Sequence, residues 1–192
     1  MKKDYSGFLI LVIGNSGSGK DSIIKGVVEK YSREKPNIHL VQRYITRPPS
    51  ETENNISITL NEFRKMEKED QFALKWNIYG LHYGISIEID EWLKNGDLVL
   101  VNVSRTIVKN ARKIYKNVKV VFIQVPLEVS VERLKRRARE NQKHLKERIE
   151  RARKNQTFPN ADFIVDNSGL LDNAIYQFLE YLLETVNNSN PI

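Results

Sequence analysis

Gly14-Asn15-Ser16-Gly17-Ser18-Gly19-Lys20-Asp21-Ser22 stands between an apolar run, Phe8 to Ile13, and a segment in which Ile23, Ile24, Val27 and Val28 recur at helical spacing. Strand, glycine-rich loop, helix is the context in which G-x-x-x-x-G-K makes a phosphate-binding loop. The glycines let the backbone curl so that successive N–H groups point inward, the helix N-terminus adds partial positive charge, and Lys20 reaches the β- and γ-phosphates. Residue 21 is Asp, where this motif usually carries the Ser or Thr that holds Mg²⁺. Nucleotide binding through residues 14–22 follows from the motif, with the metal side altered.

The rest of the composition sets a simple frame. With 192 residues, 40% of them hydrophobic, the chain is expected to bury one proper core. It has no cysteine, hence neither disulfides nor thiolate metal sites. Lys2 and Lys3 before Phe8 to Ile13 mimic a secretion signal, but the apolar run is short and leads into the glycine-rich loop. No segment approaches the length of a membrane span, so a cytoplasmic enzyme is the expectation.

A net charge of +7 raises nucleic acid as a partner, and its placement argues against one. Residues 133–154 hold eleven Lys and Arg against Glu140, Glu147 and Glu150, which leaves 20 basic and 21 acidic residues elsewhere. The excess is one local device. It contains no Phe, Tyr or Trp on which bases could stack. Pairs such as Glu147 and Arg151 account for part of a solvated helix surface; the remaining cations call for an anion.

Along the chain, strands alternate with helices over short joints. Strands are expected at Phe8 to Ile13, His39 to Thr46, Leu98 to Val103, Val118 to Val125 and Ala161 to Val165. Two further short strands about a turn are read from Phe72 to Tyr83. Helices are expected from Lys20, from Asn61 as its own cap, from Ser86 as N-cap, and at Thr106 to Tyr115, Leu127 to Arg137 and Leu170 to Val186. The nearly continuous apolar runs at 98–103 and 118–125 mark strands buried on both faces of a parallel sheet. The fold class is therefore α/β, a P-loop NTPase whose parallel sheet is flanked by helices on both faces. The chain reads as one domain with a core of residues 5–42, 85–137 and 156–186. Two parts fall outside the alternation: an acceptor-binding insertion at about 43–84 and a basic lid at about 138–155. Transfer between two ligands needs such lobes, because water must be kept from the reacting atoms.

The phosphate loop, Arg43-Tyr44-Ile45-Thr46-Arg47, Glu53-Asn54, Leu74-Lys75-Trp76, Gly80-Leu81-His82-Tyr83-Gly84, Glu88-Ile89-Asp90 with Trp92-Leu93, Val101-Asn102 with Ser104-Arg105, and Arg133-Leu134 with Arg137, Arg139 and Glu140 fall in the order seen in the ribose 1,5-bisphosphate phosphokinase family. The chain resembles that guanylate kinase-like family, which serves the carbon-phosphorus lyase pathway of phosphonate use, over about residues 8 to 180. Asp21 is shared by that family.

The resemblance implies ATP and Mg²⁺ as cofactors and a small phosphosugar as acceptor, with no nucleic acid and no membrane. Compared with guanylate kinases proper, Arg47 matches the first arginine of the acceptor-phosphate grip, Ser50 falls on the second, and Arg43 stands four residues before Arg47. The positions that read guanine become Lys75, Ile85 and Ser104. A cation and an alkyl group cannot serve the guanine edge, and an unmatched polar edge costs about 1–3 kcal/mol. A ribose with two phosphates suits the substituted pocket better, with Arg43 and Arg47 as bidentate groups, Tyr83 offering a hydroxyl, and Lys75 and Arg105 adding charge. Arg137 and Arg148 match two lid arginines, Arg133 the lid's root, and Asn167 the adenine-side turn. The resemblance departs at Asn55, where His is expected, at Val103 and at Ala138. For Mg²⁺, Asp21 ligates directly or, preferred, through water; Asn102 stands in place of an acid. None of the three histidines has an evident partner, and Trp76 and Trp92 read as core. A nucleoside monophosphate kinase is the runner-up, followed by a non-catalytic phosphopeptide-binding scaffold.

Overall fold

The computed structural model describes residues 1–31, 36–49, 55–78, 80–136 and 142–188, the side chains of 142–144 excepted. In chain order the elements are β1 (Phe8–Gly14), α1 (Lys20–Lys30), β2 (Ile38–Val41), β3 (Arg43–Ile45), β4 (Asn55–Ser57), α2 (Leu60–Lys68), β5 (Phe72–Ile78), β6 (Leu81–Ser86), α3 (Ile89–Lys94) and β7 (Leu98–Asn102). A 3₁₀ turn (Arg105–Ile107), α4 (Val108–Ile114), β8 (Val118–Gln124), α5 (Leu127–Arg136), α6 (Gln142–Lys154), β9 (Phe163–Asp166) and α7 (Leu171–Asn187) complete the chain. The strands form a five-stranded sheet in the order β2-β7-β1-β8-β9 and a four-stranded sheet in the order β4-β3-β6-β5. This is the α/β architecture of P-loop NTPases, a parallel sheet flanked by helices. Two compact units share the chain: Met1–Leu11 with Arg33–Lys119, and Val12–Ser32 with Val120–Ile192.

In the first unit, β2 runs parallel to β7, with Ile38 opposite Leu98 and Val41 opposite Val101. All of Leu98, Val99, Leu100 and Val101 are buried, as the continuous apolar run requires. The single strand expected over His39 to Thr46 is two strands in two sheets. β7 ends at Asn102, so past Val41 the chain has no further edge to pair with; beyond Gln42 it pairs instead with β4 and β6. The cap of α2 is Thr59 and not Asn61: the Thr59 hydroxyl accepts from the Glu62 N–H at 3.2 Å, and the Glu62 carboxylate accepts from the Thr59 N–H at 2.6 Å. This reciprocal pair is a capping box, and the Thr59 backbone bond holds the Glu62 carboxyl below its ordinary range. Ser86 closes β6 instead of capping α3, although its hydroxyl still accepts from the Glu88 N–H at 3.2 Å.

Two polar groupings of this unit were not apparent from spacing. His39 Nε2 lies 2.8 Å from Asp97 Oδ2, and its ring stacks on Trp92 with centroids 4.4 Å apart, so one histidine does have a partner. Asp90, 7% exposed, accepts from the Tyr115 hydroxyl at 2.6 Å and is paired with the Lys3 ammonium. Asp90 stands on the first turn of α3 and, through Lys3, ties the N-terminal residues to it.

In the second unit, β8 runs parallel to β9, with Val121 opposite Phe163 and Gln124 opposite Asp166. α1 packs along α7, whose Ala174, Ile175, Phe178 and Leu182 are buried. The chain of β1 turns into the phosphate loop within this unit, which therefore carries the loop, α5 and α6 together.

Candidate active site

The phosphate loop has the backbone that its glycines predict. Gly17 and Gly19 take φ of 83° and 86°, the left-handed region that residues with a Cβ avoid. A Cβ on Gly17 would come within 2.9 Å of the Ser130 carbonyl oxygen, and one on Gly19 within 2.5 Å of Asn167 Nδ2. The loop is a tight shell closed from beneath by α5 and by the turn after β9. Lys20, on the first turn of α1, donates from Nζ to the carbonyls of Gly14 at 2.9 Å and Asn15 at 3.0 Å, which folds the ammonium back across the loop. Asp21 and Ser22 follow on the exposed side of that turn.

The bracing beneath the loop is polar. Asn167 is 2% exposed and donates from Nδ2 to the Ser18 carbonyl at 2.8 Å. Arg133, on α5, donates to the carbonyls of Gly17 and Asn167, each at 3.4 Å. The Ser18 and Ser130 hydroxyls and Asn167 Oδ1 are buried and have no hydrogen-bond partner among the described residues. α6 approaches from the other side: Arg148 donates from Nε at 3.3 Å and from Nη2 at 3.1 Å to the Ser16 hydroxyl, and Asn15 donates to the carbonyls of Ala152 and Asn155. Loop, Lys20, Arg133, Arg148 and Asn167 thus come together in one unit, as a polyphosphate site requires. Arg137 and Ala138 lie outside the described residues. Nothing in the local sequence of Ser130, Ala152 or Asn155 announces a contact with a loop more than a hundred residues away.

The acceptor candidates belong to the first unit, and the four-stranded sheet sorts them by face. Ile45 lies opposite Tyr83, and Trp76 opposite the same Tyr83, so Arg43, Ile45, Tyr83 and Trp76 share one face. Tyr83 and Trp76 stack there with centroids 5.2 Å apart and rings 5° from parallel. Arg43 donates from Nε to Asn55 Oδ1 at 3.0 Å, so the residue that departs from the expected His holds the arginine's plane. The 3₁₀ turn carrying Arg105 lies against β5, and burial lowers the Arg105 guanidinium below its ordinary pKa. Arg47 follows β3, half-buried, just beyond the Thr46 hydroxyl that accepts from the His82 N–H at 2.9 Å.

Lys75 is not part of this grouping. It lies opposite Gly84, on the face covered by α2, where Phe63 packs against Phe72 and His82. Its ammonium stands 2.9 Å from Glu67 Oε1 of α2, and this bond is the main reason the Glu67 carboxyl is held below its ordinary range. Lys75 was expected to help grip the acceptor; alternation along β5 places it on the face opposite Arg43 and Tyr83. The Ser104 hydroxyl caps the 3₁₀ turn, accepting from the Thr106 N–H at 3.3 Å and hydroxyl at 2.9 Å. Ile85 is fully buried and Asn102 ends β7. Ser50, Glu53 and Asn54 lie outside the described residues. No group of three or more His, Asp or Glu side chains that would hold a metal by itself occurs among the described residues.

A kinase-type phosphate loop on an α/β sheet, with basic residues converging on it, defines the class. The chain belongs to the guanylate kinase family, whose profile it matches over residues 6–185. Within that family it resembles enzymes named ribose 1,5-bisphosphate phosphokinase PhnN. That of Burkholderia mallei is 38% identical over 86% of this chain and 90% of its own length, and that of Pectobacterium parmentieri 36% identical over 91% and 93%. That of Thiobacillus denitrificans is 40% identical over 77% of each chain. Among solved structures, guanylate kinase from Anaplasma phagocytophilum superposes with a TM-score of 0.65 at 17% identity, covering 94% of this chain and 87% of its own, a likeness of fold.

Proposed function

We propose that the protein transfers the γ-phosphoryl group of ATP to the 1-phosphate of ribose 1,5-bisphosphate, giving 5-phosphoribosyl 1-diphosphate and ADP. The observation that carries this reading is the combination of an intact phosphate cradle with an acceptor face unsuited to guanine. Ile85, fully buried, stands where guanylate kinases offer a hydroxyl, the Ser104 hydroxyl is spent on a cap, and Lys75 is bound to Glu67 behind the sheet. The names and the 36–40% identity of the relatives point to the same substrate.

In the reaction, an oxygen of the 1-phosphate forms a bond to the γ-phosphorus as the bond from that phosphorus to the bridging β-oxygen breaks, and ADP leaves. The attacking oxygen is already anionic, so no general base is needed. The work of the protein is to align the two phosphates and neutralise charge. Lys20 turns its ammonium from the Gly14 and Asn15 carbonyls to the β- and γ-phosphate oxygens. Gly17 and Gly19 let the backbone approach them closely, and Arg148 with Arg137 supplies further positive charge. Arg43 and Arg47 grip the acceptor's phosphates in bidentate fashion, with Arg105 adding charge and Tyr83 setting the wall of the site. Asp21, an exposed carboxylate on the first turn of α1, is a hard oxygen donor suited to Mg²⁺ through water. Bound with the nucleotide, Mg²⁺ would supply charge neutralisation across the β- and γ-phosphates. No helix among the described residues is long and apolar enough to cross a membrane, and the cytoplasm, where ATP is abundant, is the proposed compartment.

A coupled ADP-release assay offering ribose 1,5-bisphosphate, GMP and gluconate separately tests the assignment. ADP release is expected with the bisphosphate alone. Turnover of GMP at the same rate would overturn the substrate, and binding of ATP without turnover of any acceptor would turn the reading toward a scaffold.

A further inference from the structure

Asn15 is joined to two parts of the donor site by different groups. Its main-chain carbonyl accepts from Lys20 Nζ at 3.0 Å and from the Ser18 N–H at 3.1 Å, so it is part of what shapes the loop around the ammonium. Its side-chain amide donates to the carbonyls of Ala152 at 3.2 Å and Asn155 at 2.9 Å, at the C-terminal end of α6. The last carbonyls of a helix lack partners within the helix, and they carry the negative end of its dipole. At this end of α6 the Ala152 carbonyl also accepts from the Asn155 N–H at 3.3 Å and from the Gln156 side-chain amide, and the phosphate loop adds a donor to it and to the Asn155 carbonyl just past the last helical residue.

The same helix face carries Arg148. Positions 148 and 152 lie four residues apart, one above the other, and Ala152 is 1% exposed, small enough to let α6 come down onto the loop. Arg148 reaches the Ser16 hydroxyl by two donors, next in sequence to Asn15. The helix is thereby fastened to adjacent loop residues at two successive turns. We propose that Asn15 is a positioning residue that clasps the end of α6 to the phosphate loop, holding Arg148 in place so that seating of α6 and occupation of the loop by a nucleoside triphosphate favour each other. The coupling is reciprocal by thermodynamic necessity. This rests on the reading of the loop as a nucleotide site and is independent of which acceptor is used.

The test is a double-mutant cycle on kcat/KM for ATP, with AMP-PNP affinity and amide hydrogen exchange measured alongside. Asn15→Ala and Arg148→Ala are each expected to lower kcat/KM by about tenfold, and the double variant to be about as active as Arg148→Ala alone, since both act through one helix. AMP-PNP should protect the amides of residues 145–154 in the wild type and fail to do so in Asn15→Ala, with α7 protected equally in both. If Asn15→Ala does not fold, Asn15→Asp keeps the shape and turns a carboxylate toward the two carbonyls, and it takes the same place in the cycle. Losses that multiply in the double variant, or unchanged protection of α6, would overturn the clasp. Failure of AMP-PNP to bind the wild type would overturn the nucleotide reading as well, and is told apart because it is seen before any variant is made.

Discussion

Lys20 and Gly17 show how much a single position can carry in this site. Lys20 spends its ammonium on two loop carbonyls until phosphate oxygens replace them, so Lys20→Met should lower kcat by at least about a hundredfold, the usual loss for one transition-state donor. The protein should still unfold cooperatively; ADP release and a urea titration measured on the same sample check both halves. Gly17 is constrained differently, by a φ of 83° and by the Ser130 carbonyl. Gly17→Ala is expected to destabilise the fold by about 1–3 kcal/mol, read from the shift in urea midpoint, and an unchanged midpoint would show that the loop has room to spare. Both residues were legible in the sequence, because a G-x-x-x-x-G-K loop leaves few other readings. Asn15 was legible only as a member of that loop. Its amide makes contacts 137 and 140 residues away, and no local pattern encodes them.

At the scale of elements, strand alternation decides which candidate side chains act together. Arg43, Ile45, Tyr83 and Trp76 share one face of the four-stranded sheet, and Lys75 with Tyr44, Phe72 and His82 the other, under α2. Kinetics with the bisphosphate should reflect this division. Arg43→Met is expected to raise the acceptor KM by about tenfold or more, the loss of a charge-assisted hydrogen bond. Lys75→Met should leave it within about twofold, since an exposed pair with Glu67 contributes little. A large KM effect at Lys75 would restore it to the acceptor site. The sequence supplied the existence of β5 and β6 and even their turn. It could not supply the face, because alternation sets Lys75 against Trp76 but only the pairing of β6 with β3 and the packing of α2 decide which side each faces; the register shift between Phe72 and Leu74 also brings Phe72 onto the side of Lys75. The split of His39 to Thr46 into β2 and β3 has a similar cause: propensity marks an extended chain, while the length of β7 decides where one sheet is left for the other.

For the molecule as a whole, stability also depends on groups outside the phosphate loop. Tyr115 is buried, and burial first, then its bond to Asp90, raises its phenol well above the ordinary tyrosine value. The folded chain therefore keeps this proton when the unfolded chain, with its ordinary phenol near about pH 10, has begun to lose it. The resulting stability is present below that pH and declines as pH rises beyond it. Tyr115→Phe should be less stable at neutral pH by about 1.5–3 kcal/mol, for loss of a hydrogen bond to a charged group. Its decline above about pH 10 should be shallower than that of the wild type. Denaturant midpoints measured across the alkaline range check this, and parallel curves for the two proteins would contradict it. By itself the sequence determined the phosphate loop, the alternation of strand and helix and the strands buried on both faces, because each is encoded by periodicity or residue type within a short window. Only the tertiary structure decided that Lys75 belongs behind the sheet, that His39 meets Asp97, and that Asn15 holds the end of α6. Those outcomes depend on which distant segment arrives to pair, and registers and helix ends are settled by whole surfaces coming together.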